Sequence, residues 1–283
     1  MKIHHLNCGT SCPVGGRFFD GVSPGVEGRL VCHCLLIEGA DSLILVDTGF
    51  GTRDIADPAR LPAFFRNLNN IQLRPEETAI TQVRALGFRP EDVRHVIASH
   101  LDFDHAGGIA DFPWATIHVL DRERDAARHY DGGKTGGLRY RPAQWDDVTD
   151  WHRYMVGNGE RWFGFDAVRQ LHGLPPEILL VPLAGHTWGH AGVAIAEPGG
   201  WLFYAADAYF YRGEVLTPPQ RTPGLTAYQT MMEVDRAARL TNQARLRALQ
   251  AEHGSEVRMF CGHDATEFDL LAAGNPARRH LHL

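Results

Sequence analysis

The chain has 283 residues, of which 44% are hydrophobic and 22% are charged, and its formal net charge at pH 7 is −6. This length allows a substantial core in one large α/β domain. The acidic balance and the lack of a long basic run argue against nucleic acid or an anionic membrane surface as a partner. No stretch approaches the roughly 18 apolar residues of a membrane span, and the first residues lack the apolar core of a signal peptide, so we expect a cytoplasmic protein.

The five cysteines are expected to be reduced thiols, and they are Cys8, Cys12, Cys32, Cys34 and Cys261. Their number is odd in a chain without an export signal, which argues against disulfides. Neither closely spaced pair has the C-x-x-C spacing that is typical of zinc sites. Histidine is the compositional anomaly, with 16 residues.

Apolar runs and turn residues predict an alternation of strands and helices in the first half of the chain. The expected strands are Ile3–Leu6, Leu30–Ile37, Leu43–Val46, Val93–Ala98 and Thr116–Leu120. Helical spacing of apolar residues predicts helices at 59–70, 76–86 and Arg122–His129. After the third strand, Asp47 is favoured as a turn residue, with the bracing of a neighbouring site as the alternative.

The segment 131–177 differs from the rest of the chain in its aromatic density. Its glycine-rich start is followed by seven aromatic residues within 26 positions, namely Tyr140, Trp145, Trp151, Tyr154, Trp162, Phe163 and Phe165. Such density without clean periodicity predicts an insertion that covers a site, forms a subunit contact in a homodimer, or packs as a satellite core. No linker divides the chain, so we expect a single domain over residues 1–283.

Strands and helices are predicted again in the last hundred residues. The expected strands are Ile178–Leu183, Gly192–Ala196, Trp201–Ala206 and Val257–Cys261. An apolar stripe predicts one long helix at Ala227–His253, and a short closing helix is expected at Glu267–Ala273.

The strongest chemical signal lies between Val96 and Gly108, in the stretch VIASHLDFDHAGG. An apolar strand ends there, and four ligand-type residues follow within six positions, namely His100, Asp102, Asp104 and His105. A divalent metal ion is the simplest partner that satisfies two imidazoles and two carboxylates packed so closely. The stretch therefore predicts a metal site at the mouth of the fold.

Three further strands also lead to ligand-type residues. The strand at Ile178–Leu183 is followed by the sequence AGHTWGH, which ends at His190, while the next two apolar strands lead to Asp207 and His263. When strands emerge on the same side of a sheet, their ends converge in space. We therefore expect these residues to assemble a polynuclear site with the His100 to His105 cluster.

This series of motifs resembles the metal-ligand series of the metallo-β-lactamase fold superfamily, and most closely that of the N-acyl homoserine lactone lactonases. The resemblance covers about residues 30–270 and implies an α/β fold, an αββα sandwich in which two mixed β-sheets pack face to face with helices outside. It implies two divalent metal ions, zinc before iron or manganese. The implied ligands are His100 and His190 for one metal, Asp104, His105 and His263 for the other, and Asp207 as a bridge between them. His186, the first histidine of GHTWGH, is left out of this set.

Asp102 departs from the family pattern, His-x-His-x-Asp-His, because it stands where the second histidine belongs. One interpretation is that Asp102 points away and leaves a defective or mononuclear site. The favoured interpretation is that Asp102 is itself a ligand, since carboxylates bind zinc, iron and manganese and the related flavodiiron proteins carry a carboxylate at this place. Coordination by Asp102 would add negative charge and favour iron or manganese more than usual.

A second departure concerns a tyrosine that the lactonases carry a few residues after the bridging aspartate. Here Phe210 falls at that spacing, and Tyr209 and Tyr211 flank it. The phenol that would help to polarise a substrate carbonyl is therefore absent or supplied from a shifted position.

The resemblance implies a metal-dependent hydrolase that uses a metal-bound hydroxide on an ester or lactone, with Asp104 as both ligand and general acid. Hydrolysis of a phosphodiester or thioester is the alternative within the hydrolases. A di-iron redox protein, motivated by Asp102, and a binding protein without turnover are the alternatives from other classes. In every case the expected partner is a small molecule.

Overall fold

The computed structural model describes residues 1–157, 160–167 and 171–273 of the chain. Its strands follow the apolar runs of the sequence. They are β1 (Lys2–Ser11), β2 (Leu30–Glu38), β3 (Leu43–Val46), β4 (Val93–Ile97), β5 (Thr116–Leu120), β6 (Trp151–Tyr154), β7 (Glu160–Trp162), β8 (Phe165–Ala167), β9 (Ile178–Pro182), β10 (Ala191–Glu197), β11 (Gly200–Tyr204) and β12 (Val257–Phe260).

The helices connect these strands and cover the outer faces of the sheets. They are α1 (Arg17–Asp20), α2 (Thr52–Ala56), α3 (Ala63–Leu68), α4 (Ala79–Ala85), α5 (Phe103–Ala106), α6 (Asp121–Arg128), α7 (Gly136–Arg139), α8 (Pro223–Met232), α9 (Arg236–His253) and α10 (Ala265–Ala272). None of the helices in the described ranges combines the length and the apolar character that crossing a bilayer requires.

Two mixed sheets form the centre of the molecule. The first has the order β1-β2-β3-β4-β5-β6 and the second the order β12-β11-β10-β9. In the first sheet β1, β2 and β3 pair antiparallel and β3 to β6 pair parallel. In the second sheet, β11 and β12 are the parallel pair. Antiparallel hairpins and parallel crossovers thus coexist in each sheet, which confirms the predicted fold class.

The main core lies between the two sheets. Leu35 and Ile44 of the first sheet share a buried cluster with Leu180, Val193 and Leu202 of the second. Because both faces of β2 and β3 are covered, these strands are apolar without alternation, as the sequence pattern indicates.

Helices pack on the two outer faces of this sandwich. The outer face of the first sheet is covered by α4 through Ile80 and Val83. The outer face of the second is covered by α9 through Leu246 and Leu249. Burying a large aliphatic side chain contributes roughly 1.5–3 kcal/mol, so these contacts hold the αββα layers together.

The predicted long helix at Ala227–His253 is wrong, because the structure has two helices, α8 and α9, with a break between them. At the break, the backbone amides of Val234 and Asp235 donate hydrogen bonds to the carbonyl oxygen of Gly185. The Asp235 side chain then accepts a hydrogen bond from the amide of Ala238 and caps α9. A contact with a distant loop therefore overrides the continuous helical pattern.

The aromatic segment 131–177 is built into the sandwich over most of its described length. Tyr140 and Trp145 are buried in the cluster on the outer face of the first sheet, and β6 extends that sheet beside β5. Trp162 and Phe165, from the β7 and β8 hairpin, pack against the second sheet. Residues 158–159 and 168–170 of this segment lie outside the described ranges.

Candidate metal centre

The ligand-type residues lie at one end of the sandwich, where four strands finish. The loop after β4 carries His100 and Asp102, and α5 follows with Asp104 and His105. The loops after β9, β11 and β12 bring His186, Asp207 and His263 to the same place. All of these side chains are buried except Asp104, which is partly exposed towards the cavity described below. Strand ends that are far apart in sequence therefore meet, as the sequence pattern predicts.

The first group of potential ligands consists of His100, His186 and Asp207. Oδ2 of Asp207 lies 3.2 Å from Nε2 of His186 and 3.7 Å from Nε2 of His100. Nε2 of His100 is buried and has no hydrogen-bond partner among the described residues. A buried imidazole nitrogen without a partner is costly, and a metal ion at this point would satisfy it.

The second group consists of His105, Asp207 and His263. Oδ1 of Asp207 lies 3.2 Å from Nε2 of each of the two histidines. This buried oxygen makes no hydrogen bond of normal geometry. Oδ2 of Asp104 lies 3.8 Å from Nε2 of His263, at the edge of the group. Oδ2 of Asp207 also lies 3.2 Å from Nε2 of His263, so the carboxylate is placed between the two groups, where it could bridge two cations.

The charges of this centre fit divalent cations. Burial alone would raise the pKa of Asp207, but the nearby His263 and His105 hold it well below the usual range, so this carboxyl is ionised. Burial raises the pKa of Asp104. Imidazole nitrogens and carboxylate oxygens at spacings of 3–4 Å are the donor set that zinc, iron and manganese accept. The residues present therefore fit the metal ions that the resemblance implies.

Asp47 orients two of these histidines. Nδ1 of His105 donates to Oδ2 of Asp47 at 2.8 Å, and Nδ1 of His100 donates to Oγ of Ser99 at 2.9 Å. The Ser99 hydroxyl in turn donates to Asp47 at 2.6 Å, and the phenol of Tyr204 donates at 2.9 Å. These bonds leave each Nε2 lone pair facing the centre. Asp47 has a positive φ of 54° and is thus a turn residue as well, so the two roles considered for it coexist.

The loop that carries His263 is joined to β2. Nδ1 of His263 donates to the carbonyl oxygen of Val31 at 2.8 Å, which directs Nε2 towards the centre. The amide of His33 donates to the carbonyl oxygen of Gly262 at 2.9 Å. The last strand end is therefore fixed to the opposite sheet.

His190, which was expected to be a ligand, lies outside both groups. Its Nε2 accepts a hydrogen bond from the backbone amide of Asp207 at 2.9 Å, and its Nδ1 donates to the carbonyl oxygen of Leu183 at 3.1 Å. Burial holds the pKa of His190 well below its usual value, so the ring is neutral. Both ring nitrogens are occupied, and the side chain that reaches the first group is His186, which was left out of the expected set.

Asp102 also lies outside the two groups, although it is close to the first. Its Oδ2 is 3.0 Å from Nε2 of His186 and 3.6 Å from Nε2 of His100. Both carboxylate oxygens accept hydrogen bonds from the buried guanidinium of Arg139 at 2.7 Å. Burial would raise the pKa of Asp102, but Arg139 and His100 hold it well below the usual range. The sequence offered no signal for Arg139, since it lies 37 positions away.

The Cys32 thiol lies beside Asp104 and His263. It was expected to be an ordinary buried thiol, and it is indeed buried with a strongly raised pKa, because burial disfavours the thiolate. The protonated thiol is a weak ligand compared with the neighbouring imidazole and carboxylate.

An open cavity adjoins the second group, with about 400 Å³ of empty space that includes its opening to solvent. Asp104 and His263 form part of its lining, and Phe19, Leu30, Phe210 and Leu225 supply apolar walls. Tyr228 of α8 lines the same cavity and accepts a hydrogen bond at its phenol oxygen from the Asn69 amide at 3.0 Å. A phenol is therefore present beside Phe210, at a ring separation of 6.0 Å, although it comes from a different element.

Comparison with known proteins gives the family context for this geometry. The model of the metallo-beta-lactamase superfamily matches residues 28–263. A probable metallo-hydrolase of Mycobacterium tuberculosis is 38% identical over 271 residues, which are 95% of this chain and 82% of that protein. An N-acyl homoserine lactonase of Bacillus thuringiensis is 33% identical over 211 residues, which are 74% of this chain and 76% of that protein.

The fold is also similar to that of solved structures. One is an N-acyl homoserine lactone hydrolase with N-hexanoyl-L-homoserine bound at its catalytic metal centre, with a TM-score of 0.66 and 21% identity over 94% of each chain. The family match covers most of this chain and includes every strand end that carries a potential ligand. The chain therefore belongs to the metallo-β-lactamase superfamily, and it is a metal-dependent hydrolase of that fold.

Proposed function

We propose that the protein hydrolyses the ester bond of a lactone or of an open ester with an apolar substituent, using two divalent metal ions. The observation that supports this most is the position of Asp207, whose carboxylate lies between the two groups of histidines and is within 3.2 Å of His186 on one side and of His105 and His263 on the other. The proposed ligands are His100, His186 and Asp207 for the first metal, and Asp104, His105, His263 and Asp207 for the second. Zinc is the first metal to test, followed by manganese and iron.

Bound metal ions would supply a polarised carbonyl and an activated water nucleophile at neutral pH. The chain itself contributes Asp104, which lies between the second group and the cavity and can pass a proton to the leaving alcohol. The phenol oxygen of Tyr228 accepts a hydrogen bond from the Asn69 amide, which leaves the phenol proton available for donation to the substrate carbonyl oxygen.

The cavity supports an uncharged substrate with an apolar group. Among the described residues that line it there is no lysine or arginine. The negative charge of a phosphodiester would therefore be met by the metal ions alone. The lactonase relatives add weight to a lactone, and a thioester is the next candidate because its carbonyl has the same shape.

The test is a substrate panel on the metal-loaded enzyme. N-acyl homoserine lactones with acyl chains of increasing length, aryl esters, acyl thioesters and bis(nitrophenyl) phosphate are compared by kcat/KM. We expect lactones or esters to lead the panel, and activity to be lost on chelation and restored by metal. Equal activity after complete metal removal, or a phosphodiester that exceeds all carbonyl substrates, would contradict the proposal. Metal analysis combined with oxygen consumption by the reduced protein tests the redox alternative.

A further inference from the structure

We propose that Asp102 and Arg139 act as one unit, in which Asp102 is a ligand of the first metal and Arg139 is its fixed counter-cation. The pair then carries the net charge of a neutral histidine, the residue that the family pattern has at this position. This inference rests on the two-metal function proposed above. Its test measures metal binding, so that it is separable from turnover.

The two side chains form a closed bidentate pair. Nε of Arg139 donates to Oδ1 of Asp102 and Nη2 donates to Oδ2, both at 2.7 Å. The side chain of Arg139 is 0% exposed and that of Asp102 is 2% exposed. An isolated charge at this depth would be strongly unfavourable, so neither residue is tolerable without the other.

The remaining donors of Arg139 are also occupied. Nη1 donates to the carbonyl oxygens of His186 at 3.0 Å and of Met232 at 2.8 Å, and Nη2 approaches Nε2 of His186 at 2.9 Å. Four of the five N–H groups of the guanidinium therefore donate to an oxygen atom. Arg139 is held in one position, and four of these five contacts are made with Asp102 and His186 at the first metal group.

The geometry leaves Asp102 able to bind a cation. Its Oδ2 accepts one hydrogen bond from Arg139, and a carboxylate oxygen has a second lone pair. That oxygen lies 3.0 Å from Nε2 of His186 and 3.6 Å from Nε2 of His100, and Oδ2 of Asp207 lies at the similar distances of 3.2 and 3.7 Å from these two nitrogens. Added to the three donors of the first group, Oδ2 of Asp102 would make four, the number that zinc prefers.

The glycine-rich start of segment 131–177 makes room for this pair. A Cβ on Gly132 would lie 2.5 Å from Cδ of Arg139, and a Cβ on Gly136 would lie 2.0 Å from the carbonyl oxygen of Tyr130. The backbone of Tyr140, next to Arg139, pairs with that of Asp102 in an isolated β-bridge. The local sequence therefore places Arg139 against Asp102 by close backbone packing.

The proposal is tested by replacing the pair of Asp102 and Arg139 with a histidine at position 102, the residue that the family pattern has there. Asp102→His alone leaves the guanidinium unpaired beside a cation, and we expect it to lower metal content from about two ions per chain to about one. Asp102→His with Arg139→Met removes that charge and should restore two. Metal content is measured by elemental analysis after dialysis, and the cobalt-substituted proteins are compared by visible absorption. Arg141→Met is the matched control, because its Nε donates to the backbone of Arg60 instead of to the site.

Arg139→Met alone provides the second measurement. It leaves Asp102 uncompensated, so we expect a lower melting temperature without metal. We also expect the first metal ion to be held at least about tenfold more tightly in chelator competition, because the repulsion between the guanidinium and the cation is removed. Two tightly bound ions in Asp102→His alone, or no recovery in the double variant, would overturn the proposal. If the wild-type protein itself bound fewer than two ions, the two-metal function would fail instead.

Discussion

Nε2 of His190 accepts the backbone amide proton of Asp207 at 2.9 Å, which uses the lone pair that a metal ion would need. The same bond fixes the backbone of Asp207, whose carboxylate faces both ligand groups. His190 thus supports the backbone of Asp207, the proposed bridging residue, and His186 is the histidine of this motif that lies in the first group. The two histidines of GHTWGH have different tasks although the same motif contains both.

This difference predicts opposite outcomes for two alanine variants. His186→Ala should lose one metal ion per chain, because only His100 and Asp207 of the first group would remain as donors. His190→Ala should retain both ions and lose roughly 1–3 kcal/mol of stability, since the Asp207 amide would be left buried without a partner. Elemental analysis and chemical denaturation separate the two effects. Loss of metal from His190→Ala in a protein that remains folded would refute this assignment.

Asp47 is predicted to control metal affinity without touching the metal. In Asp47→Asn, the acceptor for Nδ1 of His105 is weakened, so the ring becomes a poorer and less well oriented ligand. We expect the affinity for metal to fall about 10–100-fold. Chelator competition measures the change, and Asp41→Asn in the exposed turn before β3 is the control. Unchanged affinity in Asp47→Asn would show that the hydrogen bond has no part in metal binding.

Tyr228 is predicted to act on the substrate carbonyl. Tyr228→Phe should reduce kcat roughly 10–100-fold, as expected for the loss of one donor to the developing oxyanion, with unchanged metal content. Tyr211→Phe is the matched control, because Tyr211 flanks Phe210 in sequence but lies outside the lining of the cavity beside the metal groups. If the two variants had the same kcat, the phenol of Tyr228 would not be the donor.

The lowered pKa of His118 predicts that the protein loses stability in acid. This side chain is buried between His95 and Tyr154, with His152 and His172 nearby, and burial followed by the effect of His95 lowers the pKa of His118 from 6.5 to about 3. The unfolded chain therefore binds the proton more readily than the folded protein. His118 therefore lowers the free energy of unfolding very little above pH 6.5. Below that pH the decrease grows, and it reaches about 2 kcal/mol at pH 5.

The measurement is the free energy of unfolding between pH 7.5 and pH 5. His118→Gln should show a smaller decrease over this interval than the wild-type protein, whatever its stability at neutral pH. His129→Gln serves as the control, since His129 is exposed at the end of α6. Parallel pH profiles for wild type and His118→Gln would contradict the prediction.

Much of the fold could be predicted because its strands are short apolar runs with clear ends. Leu43–Val46 and Thr116–Leu120 were predicted at their observed bounds. Helix length was harder, because the break between α8 and α9 depends on the carbonyl oxygen of Gly185, a long-range contact that periodicity does not encode. The position of segment 131–177 was left open for the same reason, since aromatic density does not reveal which face of a sheet receives it.

The sequence predicted which strand ends carry the site residues, but it did not predict which side chains and backbone groups those residues contact. The convergence of the strand ends could be predicted, because apolar runs that lead to His or Asp can be read directly from the sequence. The sequence could not distinguish His186 from His190, since only the contact with the Asp207 backbone separates their roles. It could not show Arg139 either. The extra negative charge expected from Asp102 is therefore balanced in the fold, and the argument for iron or manganese over zinc loses much of its basis.

The joining of His263 to Val31 has a consequence for synthesis of the protein. His105 and His263 are 158 positions apart, and the second group exists only when both are in place. At about 5–20 residues per second, a ribosome needs on the order of ten to thirty seconds to add the intervening chain. During that time the nascent protein displays His100 to His105 without their final partners. A metal ion held by the second group, as proposed above, would therefore be bound stably only after the last strand has left the ribosome.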